Sequence, residues 1–372
     1  QYNQLASMTS FFDDRLTLVL GYRYDVYDRE QERKVAENPD GSPIIGATGG
    51  AGTRDVTNFE VDTKTAGFVY FPVPWVGLFG NYSESFTAAG NGAPKLDGSL
   101  LPLAFNEGID TGVKMEFFDG KLSGSLSYYN TEQTDRARSG DNRTQINEIW
   151  TLMGRTELVI PDFRDTDTYK ASGFELDLTA NLTPNWRLML NYSLPKTEQI
   201  DIGRGLRDYY AANVSAWRAA STDTSLPGYA TIASDLATIE RTLQGYEEGR
   251  TINNTVDYIA NVYTTYSFKN GKLKGFAVGG GANIRGKAVI GNGASSAFDY
   301  LYADAYEIYT AHVSYEHRVG KVRARYQVNV ANLFDNDSLR YLSYARSGGI
   351  DYQNTFVYNP PRRISFTATF NF

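Results

Sequence analysis

The last residues of the chain, 362–372, read RRISFTATFNF. Ile364, Phe366, Ala368, Phe370 and Phe372 take every second position, and Arg363, Ser365, Thr367, Thr369 and Asn371 take the others. A period of two puts the two sets on opposite faces of a β-strand, one apolar and one polar. Chain ends are usually poorly ordered unless something docks them. A terminus patterned this strictly predicts a strand that the fold requires.

The same alternation recurs upstream. In LTLVLGYRYDV (16–26), Leu16, Leu18, Leu20, Tyr22, Tyr24 and Val26 oppose Thr17, Val19, Gly21, Arg23 and Asp25. In GFELDLTANL (173–182), Phe174, Leu176, Leu178, Ala180 and Leu182 oppose Glu175, Asp177, Thr179 and Asn181. In VRARYQVNV (322–330), Val322, Ala324, Tyr326, Val328 and Val330 oppose Arg323, Arg325, Gln327 and Asn329. Thirteen such segments fall near 1–12, 15–31, 58–72, 76–89, 108–118, 121–136, 169–183, 185–197, 254–268, 272–290, 304–317, 321–334 and 362–372.

The connections sort by length. Tight turns are predicted at FFDDR (11–15), PVPWVG (72–77), FFDGK (117–121), LTPNW (182–186), FKNGK (268–272) and HRVGK (317–321), each with the Gly, Pro, Asn or Asp that turn backbones need. Between them lie long polar stretches, roughly 33–57, 90–106, 138–168, 198–253, 291–302 and 336–360. Short turns at one end of a sheet and long loops at the other is the layout of an outer-membrane β-barrel. A half-exposed soluble sheet of this size would need a second layer, and no run of amphipathic helices supplies one. Within 198–253, ANVSAWRAA (212–220) and YATIASDLATIERTLQGYEE (229–248) have helical composition and predict one or two short extracellular helices.

Composition agrees. Aromatic residues make up 14% of the 372 residues, including 27 Tyr and 20 Phe, a bias found at membrane interfaces. Mean hydropathy is -0.40, and no stretch approaches the roughly 18 apolar residues of a spanning helix, so only strands could cross a bilayer. The absence of cysteine removes disulfides and thiolate sites. A net charge of -7 argues against a nucleic-acid partner. The chain begins without Met or a leader, which predicts a piece of something longer.

VNVANLFDNDSLRYLSYARSGG (328–349) followed by YNPPRRISFTATFNF (358–372) resembles the C-terminal end of TonB-dependent outer-membrane receptors. The positions that carry the resemblance are Asn332, Leu333, Phe334, Asp335, Tyr341, Pro361, Arg362 and Phe372. LTLVLGYRYDVY (16–27), NYSESF (81–86), GVKMEFFDGKLSGSLSYYN (112–130) and GFELDLTANLTPNWRLMLNYS (173–193) agree in order and spacing. The resemblance implies a transmembrane antiparallel barrel of about 22 strands with a plugged lumen, of which this chain would supply about the last thirteen. Stepping the loops back from Phe372 makes the first strand run inward, as the tenth of such a barrel would. Residues 1–372 would then be the C-terminal barrel portion, without plug and first strands. The implied activity is energised import of a large scarce ligand of the ferric siderophore, cobalamin or oligosaccharide class. The implied partners are the receptor's own plug and N-terminal strands, the TonB–ExbB–ExbD complex, the assembly machinery that reads the terminal Phe372, and outer-membrane lipid. A surface lipoprotein stays open. The alternative from the pattern alone is a self-contained passive channel of 12 to 14 strands.

No catalytic, cofactor or metal constellation is present in the sequence. His312 and His317 have odd spacing and would point to opposite faces of one strand. Asp165 and Asp167 could bind a cation, or could be an ordinary solvated loop end. Gly279, Gly280, Gly281 and Gly286 lack the Lys-Ser/Thr of a phosphate loop and predict close approach of another backbone, such as a plug. Arg23, Asp25, Lys114, Glu116, Glu175, Asp177, Arg187, Arg323 and Arg325 fall on polar faces and are candidates for docking the plug or lining a solvated channel. Tyr209, Tyr210, Trp217, Tyr229 and Tyr344 lie in the outer loops and are candidates for stacking on a ligand, or for loop packing.

Overall fold

A computed structural model describes residues 1–32, 54–87, 94–293 and 298–372. The loop expectations for 33–53, 88–93 and 294–297 lie outside the described residues. The strands are β1 (Tyr2–Phe11), β2 (Leu16–Glu32), β3 (Arg54–Val73), β4 (Val76–Thr87), β5 (Ala104–Phe117), β6 (Leu122–Ser139), β7 (Arg164–Thr183), β8 (Trp186–Ile200), β9 (Ile259–Ser267), β10 (Phe276–Arg285), β11 (Ala288–Asn292), β12 (Tyr300–Ala303), β13 (Tyr306–Val319), β14 (Val322–Ala331), β15 (Leu339–Tyr341), β16 (Tyr344–Ser347), β17 (Ile350–Gln353), β18 (Phe356–Tyr358) and β19 (Arg363–Asn371). Three helices interrupt them: α1 (Arg143–Leu152), α2 (Arg204–Thr222) and α3 (Tyr229–Gln244).

Thirteen strands form one antiparallel sheet in the order β1-β2-β3-β4-β5-β6-β7-β8-β9-β10-β13-β14-β19, so that each sheet strand lies beside the sheet strand that follows it, with β11–β12 and β15–β18 set aside in the loops. The remaining six strands pair off as hairpin-like ribbons inside the long loops, β11 with β12, β15 with β18 and β16 with β17. All six predicted tight turns fall between sheet strands, and Phe12, Asp13, Asp14, Phe118, Asp119, Gly120, Gly271 and Gly320 in them take positive φ.

Partners directly opposite each other in an antiparallel ladder share a face. One row reads Leu16, Tyr70, Leu78, Val113, Leu126, Leu176, Tyr192, Ala260 and Ile284 from β2 to β10. The row behind it reads Gly21, Thr65, Ser83, Gly108, Thr131, Ala171 and Thr197. The sheet is therefore apolar on one side and polar on the other across its whole width. At the end of the sheet, Ile364, Phe366 and Phe370 pair with Val330, Val328 and Ala324, while Ser365, Thr367 and Thr369 pair with Asn329, Gln327 and Arg325.

Among the described residues the sheet does not close. β1 and β19 lie at its two edges, and every residue of both strands is exposed. The apolar face is likewise open: Leu20 is 58% exposed and Phe366 66%. Buried hydrophobic side chains concentrate elsewhere, in a cap at the long-loop end. There Ile146, Ile149, Trp150, Ile202, Leu206, Trp217, Ile232, Leu236 and Ile239 form one cluster drawn from two loops.

Candidate functional site

The cap is a three-helix unit. α1 comes from the β6–β7 loop, and α2 and α3 come from the β8–β9 loop. One or two short helices were predicted in the second loop and two are present; α1 in the first was not predicted. Trp217 sits at the centre with no exposed surface, its ring 5.6 Å edge-on from Trp150. Its place is the core of the cap, which corrects its reading as a surface for ligand stacking. Its indole has Tyr209 and Tyr210 at 6.0 and 6.4 Å.

The two tyrosines are also held by their hydroxyls. Trp150 Nε1 donates to the Tyr209 hydroxyl at 3.0 Å. Tyr210 donates to Glu240 Oε1 at 2.7 Å, and Arg218 donates to the same oxygen at 2.9 Å. The Arg218 bond, then the Tyr210 bond, hold the Glu240 carboxyl below its ordinary range. Tyr229 begins α3 and is 39% exposed. Tyr344 packs its ring over Gly291, where even a Cβ would collide with it. Of the five aromatic candidates, Tyr229 presents the most open ring, and Tyr209 lines an outer cavity.

That cavity, about 310 Å³, lies beside the start of α2 and is lined by Lys95, Asp97, Asp135, Arg204, Asp208 and Tyr209 among others. Of two buried carboxylates on β7, Asp165 lines the cavity and Asp167 lies two residues on. None of the three helices has a side-chain cap of its own. Instead Asp165, on β7, accepts from the amides of Gly205 and Leu206 at 2.9 Å each, satisfying orphan donors at the α2 N-terminus. Two residues on, Asp167 takes a fork of bonds from Arg136 at 2.9 and 3.1 Å and one from Gln199 at 2.6 Å. Arg136 stacks over Tyr169 at 3.7 Å. Asp165 and Asp167 are 2% and 1% exposed, so they are not a solvated loop end. Both accept from protein donors, Asp165 from the α2 amides and Asp167 from Arg136 and Gln199. No cluster able to hold a metal is found among the described residues. Sequence reasoning missed this clamp; the Arg-x-Arg of 136–138 and the Asp-x-Asp of 165–167 ending two strands around one loop was the available signal.

Elsewhere in the cap, Tyr246 donates to Asp141, and burial followed by that bond pushes its phenol far up, so it stays a neutral donor. Burial and then the charge of Glu148 raise the Asp235 carboxyl.

On the polar face the register places all nine charged candidates. Arg23 makes a two-pronged pair with Asp25 at 2.7 and 2.6 Å and stacks over Tyr2 at 4.3 Å. Lys114 lies 5.6 Å from the Phe79 ring. Asp177 accepts from Asn191. Arg323 pairs with Glu316 at 2.6 Å, and Arg325 is the ladder partner of Glu316. Glu116, Glu175 and Arg187 share the face with them. His312 is on this face and His317 on the apolar one. Gly279 and Gly281 leave room on β10 for the Tyr263 and His312 rings to stack across it at 5.8 Å. What approaches those glycines is therefore the wall's own rings and the Thr264 carbonyl.

The family-like motif near the end is a clasp. Asn332 is buried with φ of 51° and donates to the carbonyls of Asn336 and Pro360 at 2.9 Å each. Asp335 accepts from the Arg362 amide at 2.9 Å. The Leu333 amide bonds to the Tyr309 carbonyl, and Phe334 lies on the Tyr309 ring at 5.1 Å. Pro361 precedes the final strand, and Phe372 is 99% exposed beyond it.

A one-sided apolar sheet, short turns at one end and a capped mouth at the other define an outer-membrane β-barrel wall. Residues 5–333 match the family model described as TonB dependent receptor-like, beta-barrel, and the chain belongs to that family. It is similar to the ferripyoverdine receptor of Pseudomonas aeruginosa, 21% identical over 81% of this chain and 30% of the relative. It is also similar to the metal-pseudopaline receptor CntO of the same species, 22% identical over 97% of this chain and 39% of the relative. The chain thus spans less than half the length of these curated relatives. In structure it resembles BauA, the ferric preacinetobactin receptor of Acinetobacter baumannii, with a TM-score of 0.63, 14% identity and coverage of 100% and 42%. The ferripyoverdine receptor of P. aeruginosa gives 0.57, 18%, 98% and 47%. The protein is an outer-membrane protein, and its family consists of receptors rather than enzymes.

Proposed function

We propose that this chain is the C-terminal part of the barrel of a TonB-dependent receptor that imports a metal–siderophore complex across the outer membrane. The observation that carries it is the unclosed sheet of thirteen strands, apolar on one face and polar on the other, with both edges bare. In hydrocarbon a bare edge is untenable, so further strands of the same receptor complete the wall. A passive channel closed from these strands alone would need an even number. The siderophore class, within the broader set of large scarce ligands, is supported by the names of the relatives, which receive ferripyoverdine and metal-pseudopaline.

In this reading the residues divide by task. The polar-face charges, Arg23 to Arg325, hold the plug in the lumen. Tyr209, Tyr229 and the cavity beside α2 take part in the ligand mouth, and Tyr210 and Tyr344 stiffen it. The chain binds and guides without bond chemistry. The plug is pulled by TonB, driven by ExbB and ExbD. The test is uptake of radio-iron on a panel of siderophores by cells carrying the complete receptor, with and without TonB. Saturable uptake that vanishes without TonB is the expected result. Uptake that persists undiminished overturns the reading in favour of a passive pore.

A further inference from the structure

The charges of the polar face are not evenly mixed around the wall. Toward the short-turn half of β5–β7, Asp110, Glu116, Glu175 and Asp177 face inward with Lys114, while the cations further out on β6, Arg136 and Arg138, are matched across the ladder by Asp167 and Asp165. On β9–β14 the balance reverses. At the short-turn end of β9, β10, β13 and β14 a basin of about 900 Å³ is lined by Lys269, Lys274, Arg318, Arg323 and Arg325, with Glu316 as its one carboxylate. Glu316 is taken by Arg323 at 2.6 Å. Lys269, Lys274, Arg318 and Arg325 have no ion pair among the described residues. Arg187, the ladder partner of Thr265 at the basin's edge, adds a further cation on β8.

Four unpaired cations around one concavity are mutually repulsive, and an anion seated between them would relieve that. Resting on the plugged-barrel reading above, we propose that this basin docks an acidic segment of polypeptide inside the lumen at the periplasmic mouth. The face decides between a polypeptide and a lipid headgroup. Thr265, Ala277, Ser314, Arg323 and Arg325 belong to the polar row, whereas the hydrocarbon side of the same strands carries Tyr266, Val278, Val313, Tyr326 and Phe370. The phosphate of a membrane lipid lies on the wrong side of the sheet to reach the basin. With the acidic wall on β5–β7, the basin also fixes the azimuth of the docked body, which turns acidic residues to β13–β14 and basic ones to β5–β7.

The test uses the complete receptor in native outer membranes. This chain has no cysteine of its own, so in a receptor whose remaining cysteines are replaced by Ser, Ala277→Cys can carry a photoactivatable maleimide on the basin floor, and Ser127→Cys the same probe on the acidic wall. Crosslinked peptides are sequenced by mass spectrometry. The expected result is capture of an Asp/Glu-rich segment at 277 and a Lys/Arg-rich one at 127. Adding Lys274→Glu and Arg325→Glu should lower the yield at 277 by about tenfold, since juxtaposed like charges repel strongly. Retained heat-modifiable migration shows that these variants still fold. Capture of a neutral or basic segment, capture of lipid, no capture, or a yield that ignores charge reversal overturns the proposal. Failure of TonB-dependent uptake with an acidic segment still captured would sink the import reading alone.

Discussion

The helical cap and the barrel wall obey the same hydrophobic effect with opposite geometry. In the cap, Ile146, Ile149, Leu206, Trp217, Ile232 and Ile239 have no exposed surface, and charged residues such as Arg218 face outward. In the wall, Leu20, Leu126, Phe174 and Phe366 are 46% to 66% exposed, while Asp25 and Thr63 on the other face are buried. A water-facing unit hides its apolar groups from solvent, and a lipid-facing one displays them. The contrast teaches that exposure measures cost only once the solvent is named.

Three substitutions put that contrast at risk, beginning with the largest effect. Trp217→Ala removes the central ring of the cap and should cost about 3–5 kcal/mol of cap stability. Hydrogen exchange should show lost protection across α2 and α3, with the wall still heat-modifiable. Unchanged exchange in the cap would mean that it has no core of its own. Leu126→Arg, on a residue already 46% exposed, would be nearly silent in a soluble sheet. Here it should cost about 2–4 kcal/mol, because the guanidinium must enter hydrocarbon. Folding titrations into lipid vesicles measure it, and a cost within error would place that row outside the bilayer.

Asp235→Asn has the smallest effect and a defined sign. The folded carboxyl is raised by burial and by Glu148, so its charged form is disfavoured in the cap. That penalty is absent below the unfolded value of about 3.9 and develops as pH rises through the folded value. The variant should therefore match the parent in thermal unfolding of the cap below that range and exceed it slightly at neutral pH. A gain at acid pH, or a loss at neutral pH, contradicts the assignment.

Much of the wall was legible because a period of two needs no partner to be recognised. The segments read at 15–31, 76–89, 121–136 and 362–372 correspond to β2, β4, β6 and β19 within a few residues. Boundaries failed where function or irregularity intrudes. β7 begins at Arg164, five residues before the expected 169, because Asp165 and Asp167 extend the ladder past a bulge at Gln133/Arg136 to reach the cap. The cap itself was half legible. Leu206, Tyr210, Trp217 and Ala220 recur at helical spacing in α2, yet the ring that meets Trp217 edge-on, Trp150 of α1, comes from another loop, so Trp217 read as a candidate for ligand stacking as well as for packing. The α2 cap was hidden for the same reason: its carboxylate lies about forty residues away on a strand.

The clasp between Asn332 and Pro360 has a consequence for how such a receptor can diversify. The excursion that holds β15 to β18 is tied at its neck by side-chain and backbone bonds that do not pass through the excursion itself. A one-residue slip of β19 would turn Ile364, Phe366 and Phe370 inward, yet insertions between 337 and 359 leave that register untouched. The loop is thus free to change in length and sequence while the strand beside it keeps its place.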